Sequence, residues 1–252
     1  RTAWAARRRS MASFAGYEPE DLARVEECVS KTDPASAPFA HYNLGCAKYY
    51  DDDFDGALEI WRKLVAADVD PLLVDQATFQ MGRALDAKGD AAGALEIYRG
   101  FARKHADDAL TQFNMGELLS RLEQFDEAET AYLKAVEFDK SDGGDIRKDA
   151  LVNLAEDKKL AGDVAGCVKT MRRVVDVDPA DYDTRLMLAS VLRGAGDVDG
   201  ALVEAKTAAE FLDSVRPVDD DEAAAFQEAN ALAQSLIREL TARKEGREAG
   251  PA

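Results

Sequence analysis

A recurring pair of residues constrains the fold of this chain more than any other feature. In five places a large apolar residue is followed by a very small one: Leu44-Gly45, Met81-Gly82, Met115-Gly116, Leu154-Ala155 and Leu188-Ala189. The small residues are separated by 37, 34, 39 and 34 positions. A period of this length is typical of repeat proteins, in which each unit covers the apolar face of the next.

Each unit contains a second small residue twelve positions after the first: Ala57, Ala94, Ala128, Cys167 and Ala201. Four positions further on lies Trp61, Tyr98 or Tyr132 in the first three units, Met171 in the fourth and Ala205 in the fifth. Small residues let two helices approach closely, and a large neighbour fills the space beside their crossing. Glycines between the two positions (Gly89, Gly162 and Gly196) suit helix ends. The pattern predicts an all-α chain in which each unit is a helix, a turn and a second helix.

Two stretches resemble a known family. "YNLG" at Tyr42 to Gly45 and "FDGALEIW" at Phe54 to Trp61 are similar to the consensus of the tetratricopeptide repeat (TPR). The resemblance covers about residues 35–213. It implies a right-handed superhelical solenoid of about five TPR helix pairs, with an N-terminal helix and a C-terminal capping helix.

The domain organisation follows from these patterns. We predict a flexible basic tail over residues 1–17, an N-terminal helix over 18–34, a TPR solenoid over 35–213, and a capping helix with a tail over 214–252. The five units are expected at about 35–71, 72–107, 108–144, 145–180 and 181–213. The two long spacings predict insertions in the turns around Pro71 and around Gly143-Gly144, and we expect the second to be an exposed loop.

The stretch "YYDDDFDGALEIW" begins like a calcium loop of the EF-hand kind, because Asp51, Asp53 and Asp55 alternate before Gly56. An EF-hand needs a bidentate acidic residue at its twelfth position, where this chain has Arg62. Asp53 and Asp55 instead fall where an N-cap and a first helical turn favour acidic residues. The stretch is therefore predicted to be a turn, with adventitious cation binding at Asp51 and Asp53 as the alternative.

Charge and cysteine content limit the partners and the compartment. The formal net charge is −17, which disfavours nucleic acid and anionic membranes, and no apolar run is long enough to span a membrane. Three widely spaced cysteines indicate an intracellular, reducing compartment. We expect the cytoplasm. The alternative is an organellar stroma or matrix, because the start containing Arg7, Arg8 and Arg9 resembles the remnant of a transit peptide. A native basic tail or a cloning remnant would also explain this start.

Sequence patterns for catalysis are absent. The two histidines, His41 and His105, fall in different units, and the chain has no Gly-rich phosphate loop, no G-x-S-x-G elbow and no H-E-x-x-H helix. We predict that the protein is not an enzyme and that it uses no cofactor and no metal.

The resemblance implies that the first helix of each unit lines a concave groove. The residues predicted to bind a peptide there are Tyr42, Asn43, Tyr49, Phe79, Gln80, Arg83, Phe113, Asn114, Glu117, Asn153 and Lys159. Four of them carry amides at equivalent positions, and such amides can pair with the backbone of an extended peptide. The alternative is that the amides brace neighbouring helices and that the aromatic residues only pack between helices.

The predicted function is that of a non-enzymatic TPR adaptor or scaffold that binds an extended segment of a neutral or basic protein partner in the groove. Capture of a chaperone C-terminal carboxylate is disfavoured, because that subtype uses two lysines, two asparagines and an arginine at fixed groove positions. This chain has Tyr42 and Cys46 at the first two positions and Leu110 and Asn114 at the pair in the third unit, so the two lysines and the arginine are missing. The alternative is a structural subunit or an assembly factor of a larger complex, possibly organellar, that docks through its convex face and edges.

Overall fold

The computed structural model describes residues 19–67, 69–141 and 144–246, and within them the chain forms twelve α-helices and no strands. The helices are α1 Pro19–Ser30, α2 Pro38–Tyr50, α3 Phe54–Val65, α4 Pro71–Lys88, α5 Ala91–Lys104, α6 Ala109–Arg121, α7 Phe125–Phe138, α8 Asp145–Leu160, α9 Val164–Val177, α10 Tyr182–Gly194, α11 Val198–Ser214 and α12 Asp220–Lys244. The predicted all-α fold is confirmed. The basic tail at 1–17 and Gly143 lie outside the described residues.

The chain divides into two compact units: unit 1 ends at Leu122 and unit 2 begins at Glu123. In unit 1, each helix from α1 to α5 packs on the one that follows it, so the sequential packing runs from α1 to α6. In unit 2 the same sequential packing runs from α7 to α12, and α12 also contacts α10. We call the even-numbered helices from α2 to α10 the A helices and the odd-numbered helices from α3 to α11 the B helices.

The core of unit 1 is built where an A helix presents glycine to an aromatic side chain of its B helix. A Cβ atom added to Gly45 would overlap the Trp61 indole, and one added to Gly82 would lie 2.6 Å from Cε1 of Tyr98. Both aromatic side chains are buried, and Nε1 of Trp61 donates a hydrogen bond to the Tyr42 carbonyl oxygen over 3.2 Å. The glycines are therefore required for the close approach of the paired helices.

In unit 2, the core cluster formed by α8 to α12 buries small and flexible residues at the helix crossings. Ala155, Ala189, Ala201 and Ala205 are buried together with Cys167 and Met171. The final helix, α12, closes this core by burying Ala233, Leu236 and Leu240. Helix α12 thus covers apolar surface that would otherwise face water, as a repeat array requires at its end.

A four-residue motif, D-x-x-G, starts four of the five B helices. The carboxylates of Asp53, Asp90, Asp163 and Asp197 each accept a hydrogen bond over 2.9 Å from the backbone N–H of the glycine three residues later. A Cβ atom on any of these glycines would overlap the capping carboxylate. Asp53 is therefore an N-cap, as predicted, and its carboxylate satisfies one of the free N–H groups of the first turn.

The insertion predicted in the turn around Pro71 is wrong, because the extra residues extend a helix. Helix α4 begins at Pro71 and has 18 residues, compared with 13 in α2. Proline fits the first helical position, where its missing N–H would have no helical partner. Asp70 caps this start by accepting a hydrogen bond from the Leu72 N–H over 2.8 Å.

The exposed loop predicted around Gly143-Gly144 is anchored by a buried carboxylate. Asp139 is only 5% exposed, and its Oδ1 accepts hydrogen bonds from the Ser141 N–H and hydroxyl over 3.0 and 2.6 Å. Its Oδ2 accepts from the Arg147 N–H at the start of α8 over 2.9 Å. Burial alone would raise the pKa of Asp139, but these hydrogen bonds and the Arg147 charge outweigh it and lower the pKa.

Replacing Gly82 with alanine is expected to lower the free energy of unfolding by about 1–3 kcal/mol, because the added Cβ overpacks against Tyr98. Gly100→Ala is the matched control, because it also lies in a helix but its Cβ would come no closer than 3.7 Å to another side chain. That control should raise stability by about 0.5–1 kcal/mol through helix propensity. Urea denaturation followed by circular dichroism measures both, and equal effects would contradict the close helix crossing.

The Asp139→Asn variant tests the anchored loop. Because the folded-state pKa of Asp139 is lowered, its stabilisation is present above the unfolded value of about 3.9 and is lost as the pH falls through the folded value. We expect the variant to lose about 1–3 kcal/mol of stability at pH 7, and this deficit should shrink as the pH falls from about 5 to about 2. Asp51→Asn, at an exposed turn position, is the control and should show no such trend. A deficit that does not change with pH would argue against the anchor.

Candidate functional site

Four of the predicted binding residues meet on the A helices of unit 1. Nε2 of Gln80 on α4 donates a hydrogen bond to the Tyr42 hydroxyl on α2 over 3.4 Å. Nη1 of Arg83 donates to Oε1 of Gln80 over 3.1 Å, and the Arg83 guanidinium lies 5.2 Å from the centre of the Tyr49 ring. We call this group of Tyr42, Tyr49, Gln80 and Arg83 the unit 1 network. It joins α2 to α4 through polar and cation–π contacts.

The unit 1 network carries one permanent charge, that of Arg83. Burial raises the pKa of the Tyr42 hydroxyl and of the neighbouring Cys46 thiol. Burial likewise raises the pKa of Tyr98, which lies behind the network in the core. These groups stay protonated at neutral pH, so the network offers hydrogen bonds and aromatic surface, and no group poised for acid–base chemistry.

Tyr49 of the network and the neighbouring Phe79 are also part of the packing between helices. The Tyr49 ring lies 5.6 Å from the Phe54 ring and 6.4 Å from Trp61, measured between centroids. The Phe79 ring lies 5.4 Å from Tyr98. Tyr49 and Phe79 are only half-buried, so each keeps an accessible edge. Packing explains part of their placement, as the alternative interpretation expected.

The four amides are not equivalent in the structure. Gln80 is used inside the unit 1 network as a brace between helices. The side chains of Asn43, Asn114 and Asn153 form no hydrogen bond with the described residues; Asn43 is exposed and the other two are half-buried. Phe113, Asn114 and Glu117 lie on α6 of unit 1, whereas Asn153 and Lys159 lie on α8 of unit 2. The binding role of these residues stays a prediction.

Beside the network, unit 1 contains a cavity of about 500 Å³, which we call the unit 1 pocket. Residues from three successive A helices and from α5 border it, including Tyr42, Phe79, Gln80, Phe101, His105 and Leu110. Phe101 and His105 were not among the predicted binding residues, because only positions on A helices were predicted to line the groove. Their spacing of four positions could have indicated that the two rings lie side by side, because residues four apart share one face of a helix.

Unit 2 contains a larger cavity of about 1080 Å³, the unit 2 pocket, between α8, α9, α10 and α12. Its walls include Met171, Tyr182, Leu186, Met187 and Leu232, and the predicted groove residue Lys159 borders it. The contribution of α12 was not predicted, because a capping helix was expected only to shield the core.

Among the described residues no helix is long and apolar enough to cross a bilayer, and no three His, Cys, Asp or Glu side chains are grouped as metal ligands.

Comparison with known proteins agrees with the helix-pair architecture. Residues 76–141 match the family model of the tetratricopeptide repeat. This segment therefore consists of tetratricopeptide repeats, and the helix pairs of the described residues have the TPR fold. No curated protein sequence is significantly similar to it.

Several solved TPR structures share this fold. The C-terminal part of a TPR repeat-containing protein from Cytophaga hutchinsonii aligns with a TM-score of 0.64 at 13% identity, over 88% of this chain and 89% of that one. MamA aligns with a TM-score of 0.59 at 18% identity, over 71% and 96%. YrrB, described as a TPR protein with an unusual peptide-binding site, aligns with a TM-score of 0.54 at 16% identity, over 77% and 93%. These similarities establish the fold, and the TPR fold supports a role in protein–protein interaction.

The difference between Gln80 and Asn114 gives a testable prediction. Gln80→Ala should lower the free energy of unfolding by about 0.5–1.5 kcal/mol, because it removes two hydrogen bonds between and along helices. Asn114→Ala should change it by less than about 0.5 kcal/mol, because Asn114 makes no side-chain hydrogen bond within the described residues. Urea denaturation of both variants checks this. Equal losses would show that Asn114 is also a structural brace.

Proposed function

We propose that this TPR protein is a non-enzymatic adaptor that binds an extended segment of a partner protein along the A helices of unit 1. The observation that carries the proposal is that Tyr42 of α2, Gln80 of α4 and Leu110 of α6 border a single pocket. A segment lying in this pocket would cross three successive A helices and contact each of them. Binding of this kind sums many modest contacts over several repeats.

The available amides support an extended occupant. Asn43 follows Tyr42 on α2, and Asn114 lies one helical turn after Leu110, on the same face of α6. An asparagine side chain offers one acceptor and two donors, which matches the alternating N–H and C=O groups of an extended backbone. Because neither amide is used by the described part of the chain, binding a peptide would not break an existing hydrogen bond.

The aromatic side chains support the same proposal. Tyr49 and Phe79 are fixed by packing on one side and half-buried overall, so little side-chain entropy remains to be lost when a peptide covers their accessible edges. YrrB, with the same fold, is a TPR protein with a peptide-binding site, and we extend that property to this chain as part of the proposal.

The test is selection of binding peptides from a phage-displayed library of random peptides about twelve residues long, using the full chain as bait. We expect selected peptides to bind with dissociation constants in the micromolar range, measured by fluorescence anisotropy with synthetic peptides. The double variant Asn43→Ala/Asn114→Ala should weaken binding about thirtyfold, because each of the two lost hydrogen bonds contributes about 1 kcal/mol, and its thermal unfolding should match that of the wild type.

Gln227→Ala is the matched control, because it removes an exposed amide from α12 in the other unit. It should leave peptide affinity unchanged. Failure to select any peptide would contradict the adaptor proposal. If peptides bind the wild type and the double variant equally, binding lies elsewhere on the protein and the interpretation as a structural subunit that docks through other faces gains support.

A further inference from the structure

The floor of the unit 1 pocket is aromatic. The Phe79 and Phe101 rings lie 5.7 Å apart between centroids, and the Phe101 and His105 rings lie 4.4 Å apart and are tilted by 33°. The three rings form one continuous surface from α4 to the end of α5. The faces of aromatic rings carry partial negative charge, so such a surface attracts cations as well as apolar groups.

The rim of the pocket is acidic. Three carboxylates line it, those of Asp75, Asp107 and Asp108, and no lysine or arginine does. Asp75 already accepts a hydrogen bond from Nε2 of His105 over 2.8 Å and lies 3.7 Å from Nζ of Lys104, and Asp108 caps α6 through the Thr111 N–H over 2.8 Å. Asp107 is exposed and forms no ion pair with any described residue. Lys104 offsets part of the charge of Asp75, whereas Asp107 has no ion pair among the described residues, so the rim keeps an excess of negative charge.

The mouth of the pocket is apolar. Leu72 at the start of α4 is 67% exposed and Leu110 at the start of α6 is 42% exposed, and both belong to the lining. Aliphatic walls, an aromatic floor and a carboxylate rim together suit a side chain with a long apolar stem and a positive end. The volume of about 500 Å³ accommodates one such side chain with the neighbouring backbone.

We propose that the unit 1 pocket binds a lysine or arginine side chain presented by the partner segment. The stem of that side chain lies between Leu72 and Leu110 over the Phe101 ring, and its charged end lies at the carboxylates of Asp75 and Asp107. This inference rests on the proposed function and adds the chemistry of the partner. The net charge of −17 acts in the same direction, because it attracts basic segments before contact.

The unit 2 pocket provides the internal comparison. Its lining has Lys159 and Arg193 beside Asp183 and Glu228, so the charges of its lining balance. Arg193 is also held by Glu239 over 2.7 Å. Of the two pockets, the unit 1 pocket is the one in which acidic groups outnumber basic groups in the lining. A cationic side chain should therefore bind in the unit 1 pocket in preference to the unit 2 pocket.

The test uses the peptides selected on the full chain. We expect a lysine or arginine at a common position in them, and replacing that residue by methionine in a synthetic peptide should weaken binding about tenfold. Asp107→Asn should weaken binding of the basic peptide about threefold to fivefold and leave the methionine peptide unaffected. Leu72→Ser should weaken both peptides, because it removes the apolar wall and no charge. Raising the salt concentration should reduce the affinity of the basic peptide alone.

Asp51→Asn is the matched control, because it makes the same change of charge at an exposed position of unit 1 outside the pocket lining. It should leave both affinities within about twofold of the wild-type values. The outcome separates the two proposals. Peptides that bind through Asn43 and Asn114 but carry no common basic residue, or that ignore Asp107→Asn, would overturn the cationic pocket and leave the adaptor proposal standing. Selection of no peptide would overturn both.

The alternative occupant of the unit 1 pocket is the basic start of the same chain, which contains Arg7, Arg8 and Arg9. The full-length variant Arg7→Gln/Arg8→Gln/Arg9→Gln should bind the basic peptide with unchanged affinity if the pocket serves a partner. A gain of about tenfold would show that these arginines compete for the pocket, and it would overturn the assignment to a partner protein.

Discussion

The contact between glycine and a buried aromatic ring sets the geometry on which unit 1 depends. Gly45 lies against Trp61 and Gly82 lies against Tyr98, so α2 closely approaches α3 and α4 closely approaches α5. The close approach fixes the rotation of α2 and α4 about their axes. With that rotation fixed, Tyr42, Gln80 and Arg83 must point to a common side and can form one network.

Some side chains of unit 1 hold the helices together, whereas neighbouring side chains remain available for binding. Gln80 and Arg83 hold α2 and α4 together, whereas the amides of Asn43 and Asn114 form no hydrogen bond with the described residues. Phe101 and His105, from the B helix, close the floor that the A helices leave open. Rigid support from one group of residues lowers the entropic cost of binding at the other.

The helical units could be predicted because small and large residues recur at the positions where paired helices cross, as Gly82 and Tyr98 do. The extension of α4 from Pro71 was missed, because proline is as common in turns as at the first position of a helix. The burial of Asp139 was missed because its partners depend on how the chain folds back onto Arg147. The unit 1 pocket could not be read from A-helix positions alone, since turn residues such as Asp107 complete it. The cellular compartment and the exact domain boundaries stay predictions.

The hydrogen bond that caps a B helix at a D-x-x-G motif joins two residues within four consecutive positions. Asp163 and Gly166 complete their cap without help from another helix, and the same holds for Asp197 and Gly200. A segment that defines its own beginning can be duplicated, lost or exchanged without changing the residues that start its neighbours. The motif therefore makes the start of a B helix independent of the residues in the neighbouring helix pairs, even though the apolar faces of those pairs depend on each other for burial.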